Sequence, residues 1–233
     1  MKDEILLIDK PTGWTSFDVV AKIRGKIRAG YTARGEKPTK RQLKVGHAGT
    51  LDPFATGLLI ILLGDATKKA GEFLKLDKTY EFTAKLGEVS TTGDTEGEIT
   101  VNGGDTPSKN AVLAALEQFT GEITQIPPSY SAIKIDGKRA YKLAREGKKV
   151  EIPPRQVTVS RLQVTEYDYP YLKCVCDVSS GTYIRTLVED IGKALKTGAY
   201  CLELRRTRIG SYKIQDARAI LDITEDTSDT LDV

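Results

Sequence analysis

Residues 46–59 gather the chain's only histidine, His47, with three glycines and one aspartate placed directly before a proline. Pro53 disfavours the helical region for Asp52, and Gly46, Gly49 and Gly57 admit backbone shapes that other residues resist. A carboxylate is thus held on a bend, and chemistry is expected here before anywhere else in the chain. An Asx-turn, in which Asp52 only accepts backbone hydrogen bonds, is the structural alternative. The apolar run 58–63, closed by Gly64, is expected to be a strand buried on both faces and a rigid anchor for the loop.

Composition narrows what that loop could do. One histidine excludes a His-rich metal centre and leaves His47 alone for any Ser-His-Asp arrangement. Neither a Walker-type nor a dinucleotide glycine signature is present. Cys174, Cys176 and Cys201 do not complete a standard structural zinc set and are expected to be reduced core thiols. At 233 residues, 39% hydrophobic and 29% charged, the chain can bury a substantial core. No apolar stretch approaches the roughly 18 residues that span a bilayer. Met1-Lys2-Asp3-Glu4-Ile5 carries acids where a signal peptide is basic, so a cytoplasmic protein without membrane contact is expected.

The net charge of +3 is unevenly spread. Residues 22–44 hold nine Lys/Arg against the single acid Glu36, and residues 134–155 hold eight against three. The end, residues 216–233, is an acidic tail with six acids against Arg218. Such segments suit a polyanion, with solvated faces as the alternative.

The elements that must position these residues follow from periodicity. A strand at 4–9 and a Lys10-Pro11-Thr12-Gly13 turn precede a helix capped by Thr15 or Ser16, with Phe17, Val20, Ile23 and Ile27 inward. Residues 29–44 read as a long mobile loop. Strand 79–86 alternates, with Tyr80 on its apolar face, and a hairpin with loop follows over 87–104. Thr106 and Pro107 open a helix with Val112, Leu113 and Leu116 inward, closed by Gly121. Paired prolines then bracket an inserted unit carrying Tyr130, Lys134, Lys138, Arg139, Tyr141, Lys142 and Arg145. Rings interleaved with cations suit a loop-RNA surface, though an amphipathic helix would look similar. Strands at 156–164 and 172–178 lead to a helix with Ile184, Leu187, Val188, Ile191 and Leu195 inward, and then to a strand at 201–206. Arg185 in the first turn of that helix opposes the helix dipole, so a compensating anion is expected, Asp52 being one candidate.

The ordered set Lys10-Pro11-Thr12-Gly13, Gly46-His47-Ala48-Gly49-Thr50-Leu51-Asp52-Pro53, Lys78-Thr79-Tyr80, Ser129-Tyr130-Ser131-Ala132, Gly181-Thr182-Tyr183-Ile184-Arg185 and Leu204-Arg205-Arg206 resembles the bacterial tRNA pseudouridine synthase B family across nearly the whole chain. The resemblance implies an α/β (α+β) catalytic domain over 1–233, a long mixed, mostly antiparallel sheet flanked by helices, and an RNA-gripping thumb at 127–154. It implies isomerisation of the T-loop uridine at tRNA position 55 to pseudouridine, without metal or organic cofactor; a monomer that binds tRNA and not DNA is expected. Asp52 matches the nucleophile, Arg185 the arginine that pairs with it, and Tyr80 the ring stacking on the target base and a candidate general base. A plain core aromatic remains the alternative for Tyr80. Tyr183 and Leu204 match positions lining the uridine pocket, and His47 the histidine that fills the T loop once the base is extruded. Asp94, in Thr92-Gly93-Asp94-Thr95, aligns with a family acid near the cleft, which the local turn would explain equally well. Two departures are expected to matter: the chain stops without a C-terminal PUA domain, and its basic loop 29–44 is longer than the family's usual link and partly replaces that contact. A guide-RNA-dependent synthase and a tRNA-folding chaperone are the competing functions.

Overall fold

The uninterrupted apolar run becomes the central strand of its neighbourhood, because only a strand covered on both faces can bury six consecutive large side chains. In the computed structural model, which describes residues 4–131, 133–135, 137–146 and 151–220, Leu58 to Leu63 are each 0% exposed.

Along the chain run β1 (Ile5–Lys10), α1 (Ser16–Ala33), β2 (Val45–His47), β3 (Thr56–Leu63), a 3-10 turn over Gly64–Lys69, α2 (Ala70–Leu74) and β4 (Lys78–Leu86). Then come the hairpin β5 (Glu88–Ser90) and β6 (Ile99–Val101), α3 (Lys109–Glu117), β7 (Gly121–Gln125), the short hairpin β8 (Lys134–Ile135) and β9 (Lys138–Arg139), and α4 (Ala140–Arg145). The chain continues through β10 (Arg155–Asp168), β11 (Tyr171–Val178), α5 (Ile184–Ala194), β12 (Ala199–Ile209), β13 (Tyr212–Lys213), a 3-10 turn over Ile214–Asp216 and β14 (Arg218–Ala219). Ten of the described strands form a mixed, mostly antiparallel sheet flanked by helices, the α+β class expected, and β5–β6 and β8–β9 pair separately. Two compact units divide it, one of residues 1–78 with 205–233 and one of residues 79–204.

In the first unit the strand order is β14-β1-β3-β12. β3 runs antiparallel to β1, with Ile8 opposite Leu59. Its other edge is shared: β2 pairs antiparallel at Val45 with Leu63 and His47 with Ile61, and β12 pairs parallel at Arg206 with Gly57. One face packs Leu59, Ile61 and Leu63 beneath Val19, Val20, Ile23, Ile27 and Tyr31 of α1. The other packs Leu58, Ile60 and Leu62 with Ala48, Ala66, Phe73 and Ile209. Thr15 caps α1 in a capping box with Asp18. Two expectations change here. Phe17 is 62% exposed rather than inward, because Val19 and Val20 turn the stripe away from it. The helix also runs through to Ala33, since Tyr31 extends the buried stripe one turn beyond Ile27, so the loop is limited to residues 34–44.

In the second unit the order is β12-β4-β11-β10-β7, and β10 pairs antiparallel with both β11 and β7. β4 is more deeply covered than an alternating strand, because Thr79 and Thr83 are buried along with Tyr80 and Phe82. Thr79 satisfies its hydroxyl on Asp177, and Thr83 donates to Glu203 Oε2 at 2.7 Å. α3 starts two residues later than expected: Ser108, not Thr106, accepts from the Ala111 amide at 3.2 Å. Leu113 is 42% exposed, and Ala115 takes its place inward beside Val112 and Leu116. Cys174, Cys176 and Cys201 are buried thiols that form no disulfide, and burial pushes the Cys174 thiol up to about 12. Of the thumb expected at 127–154, residues 132, 136 and 147–150 lie outside the described residues, as do residues 221–233 of the acidic tail.

Candidate active site

The loop between β2 and β3 is held from outside itself. A turn closes at Asp52, whose carbonyl accepts from the Ala55 amide at 3.2 Å, and Asp52 itself stays partly exposed. Glycine-rich, proline-interrupted backbone leaves carbonyls that no ladder satisfies, and buried carbonyls need donors. Two fully buried cations supply them. Lys10, 0% exposed, donates to Trp14 O at 2.6 Å, Pro11 O at 2.9 Å and Pro53 O at 3.3 Å. Arg206, 1% exposed, donates from Nε to Leu58 O at 2.8 Å and from its two terminal nitrogens to Thr50 O at 3.3 Å and Gly49 O at 3.2 Å. Ser16 accepts from the Leu51 amide at 2.9 Å and donates to Leu51 O at 3.2 Å. Thr12 donates to Phe54 O at 3.1 Å, and the Gly13 amide to Pro53 O at 2.8 Å.

Gly57 is obligatory in this arrangement. Its φ is +106°, and an added Cβ would stand 2.4 Å from the Arg206 carbonyl oxygen, so any side chain would drive β12 away from the loop. Lys78 lies at the end of the same unit, donating to Leu74 O at 2.7 Å and Leu76 O at 2.5 Å. Burial, then the Arg206 charge, lowers its ammonium to about 8. His47 sits in β2 opposite Ile61, partly buried.

The second unit places the remaining predicted residues. Tyr80 is buried on β4, at 8% exposure, and Leu204 is buried on β12. Tyr183 is the N-cap residue of α5 without a side-chain cap, and Arg185 lies in its first turn. In this unit Arg185 meets Asp94 Oδ2 at 3.1 Å, with both side chains 3% exposed, an anion of the kind the dipole argument called for. Arg185 also donates to Thr92 O and Tyr130 O, each at 2.8 Å. Asp94 Oδ1 in turn accepts from Thr92 Oγ1 at 2.5 Å and the Glu96 amide at 3.0 Å. Nearby, burial pushes the Glu189 carboxyl up, against the pull of Lys193.

Sequence reasoning gave no role to two residues that fix Tyr183. Gln125, 1% exposed, accepts from the Tyr183 amide at 3.1 Å and donates to its carbonyl at 3.3 Å. The Arg155 guanidinium lies 4.8 Å over the Tyr183 ring and bonds Gly181 O. The two face each other in the β7–β10 ladder, on either side of the proline-bracketed insertion. That bracketing was the one sequence signal pointing to them. Lys10 and Arg206 stood in recognisable motifs, but nothing local marked them as buried.

The family model "TruB family pseudouridylate synthase (N terminal domain)" matches residues 37–184, and "tRNA pseudouridylate synthase B C-terminal domain" matches residues 185–230. The tRNA pseudouridine synthase B of Pseudomonas syringae pv. syringae (strain B728a) is 45% identical over 210 residues, 90% of this chain. This chain spans 65% of that relative's length, just under two thirds. That of Parabacteroides distasonis is 46% identical over 212 residues, covering 91% of this chain and 87% of the relative. Among solved structures, a chain of a Cbf5-Nop10-Gar1 complex superposes with a TM-score of 0.71 at 30% identity, over 96% of this chain and 54% of that one. The chain belongs to the TruB family of pseudouridylate synthases.

Proposed function

We propose that this protein isomerises the T-loop uridine of tRNA, at conventional position 55, to pseudouridine. The observation that carries the reading is the cage around the Asp52 loop. Carbonyls from Gly49 to Leu58 receive donors from Lys10, Thr12, Gly13, Ser16 and Arg206. A surface turn needs no such scaffold, whereas a reacting carboxylate must be held to within a fraction of an ångström. The relatives' name, tRNA pseudouridine synthase B, supports the same substrate.

On this reading the target base leaves the stack, His47 occupies the space it vacates, and the Tyr80 ring stacks on it, with Tyr183 and Leu204 lining the pocket. Asp52 attacks ribose C1′ or uracil C6, or promotes glycal formation. The C–N glycosidic bond breaks, the base turns, and a C–C bond forms through C5. A carboxylate serves because it both adds and departs. Uracil C5 then loses its proton, with Tyr80 the candidate base, and N1 gains one, so the product is an isomer and no co-reactant is consumed.

The test is tritium release from C5-labelled uridine in an unmodified tRNA transcript, with no other RNA or protein present. Release at a single uridine supports the reading. The likeness to the Cbf5-Nop10-Gar1 structure favours a second one, guide-dependent modification, which predicts release only when a guide RNA is added. Tight binding without release under either condition would leave an RNA-folding role.

A further inference from the structure

Tyr183 begins α5 without a side-chain cap, and its place is set by residues distant in sequence. The Gln125 side chain faces its backbone as a neighbouring strand would, with Oε1 accepting from the Tyr183 amide at 3.1 Å and Nε2 donating to its carbonyl at 3.3 Å. Gln125 is 1% exposed, so both ends of its amide are committed to this one residue. The loop before Tyr183 is tied to β10 as well. Thr158 O accepts from the Ser179 amide and the Thr158 amide donates to Ser179 Oγ, each at 2.8 Å, while Thr182 Oγ1 donates to Ser179 O at 2.9 Å.

The ring is held separately from the backbone. The Arg155 guanidinium lies 4.8 Å from the Tyr183 ring centroid, over its face, and donates to Gly181 O. A Cβ at Gly181, whose φ is +86°, would stand 3.3 Å from Cζ, Nη1 and Nη2 alike, so the guanidinium lies flat against that bare backbone. Among the described residues Arg155 Nε, although buried, meets no hydrogen-bond partner. A buried donor left unpaired is a cost that a purely stabilising contact would not carry. Gln125 and Arg155 stand opposite each other in the β7–β10 ladder, at the two ends of segment 126–154. Inside that segment, Tyr130 O accepts from Arg185 Nη2 at 2.8 Å, two residues beyond Tyr183. The base of the insertion thus grips the Tyr183–Arg185 stretch at three points.

We infer, on the reading that a tRNA uridine is the substrate, that Arg155 is a positioning residue. Its flat guanidinium sets the angle of the Tyr183 ring that lines the uridine pocket, and Gln125 fixes the backbone from which that ring hangs. A small misplacement of a group that orients the substrate costs rate even where affinity survives.

The test compares wild type, Arg155→Met and Arg155→Lys as full chains with an unmodified tRNA transcript, reading Kd and the single-turnover rate at saturating protein. Arg155→Met should bind within a few-fold of wild type and lose roughly 10- to 100-fold in rate. A loss confined to Kd and its salt dependence would make Arg155 an RNA-backbone contact and overturns the inference. Arg155→Lys keeps a cation but not the flat fork, so its rate should lie between the two. A lysine variant as fast as wild type overturns the inference even if Arg155→Met folds poorly. A readout without RNA comes from protein carrying isotopically labelled tyrosine: the Tyr183 ring resonance, assigned by its loss in Tyr183→Phe, should shift in Arg155→Met. An unmoved resonance overturns the inference whether or not the wild type makes pseudouridine. Wild type that binds tRNA and makes no pseudouridine, with the resonance shifted in Arg155→Met, sinks the catalytic reading alone.

Discussion

Arg185 and Asp94 form an ion pair of 3.1 Å in which both side chains are 3% exposed. A guanidinium so buried requires a bonded anion, and Asp94 is held for that purpose by Thr92 Oγ1 and the Glu96 amide. Asp94→Ala is expected to cost about 3 kcal/mol or more of unfolding free energy. Asp94→Asn, which keeps the oxygen facing Thr92 and Glu96, should cost less. Urea unfolding of the two variants measures the difference, and equal stability of Asp94→Ala and wild type would dismiss the structural role.

Asp52→Asn replaces a partly exposed carboxylate by an amide of the same shape. RNA affinity should hold within a few-fold, while tritium release falls at least about 1,000-fold, roughly 4 kcal/mol of barrier. Turnover retained by this variant would refute the nucleophile.

Arg206 reaches three carbonyls of the loop region through its planar fork, which a lysine does not reproduce. Arg206→Lys should lower both thermal stability and turnover, and Arg206→Leu, which strands those carbonyls, should destabilise by roughly 3 to 5 kcal/mol. A melting temperature unchanged in both variants would show that the loop keeps its shape without this brace.

Lys78 has a folded pKa of about 8 against an ordinary 10.5, so between those values the unfolded chain binds more protons than the folded one. Its contribution to unfolding free energy therefore rises with pH across that window and is lost as pH falls toward 8. The two carbonyls that accept from the ammonium oppose the shift, which makes about 3 kcal/mol a ceiling. Urea titrations from pH 7.5 to 10 should show a flatter pH dependence in Lys78→Met than in wild type. Parallel curves would contradict the lowered value.

The sequence by itself determined the parts whose physics is local. Six consecutive apolar residues dictated a strand covered on both faces, and Leu58 to Leu63 are buried in that way. Asp52 before Pro53 and among glycines dictated a bent, irregular loop. Arg185 in a first turn dictated that an anion must come to it. Tertiary structure alone brought Asp94 to it from the turn after β5, because chain distance carries no information about which carboxylates fold back onto a helix start. It also decided that Lys10 and Arg206 are buried, against the usual habit of cations, since unpaired loop carbonyls draw donors inward wherever they originate. Thr79 and Thr83 looked solvent-facing because period two marks polarity, whereas Asp177 and Glu203 supply buried partners that alternation does not encode. The meeting of Arg41 and Lys68 at Asp65 has the same origin: composition showed the positive charge, and only the folded chain brought it to one place.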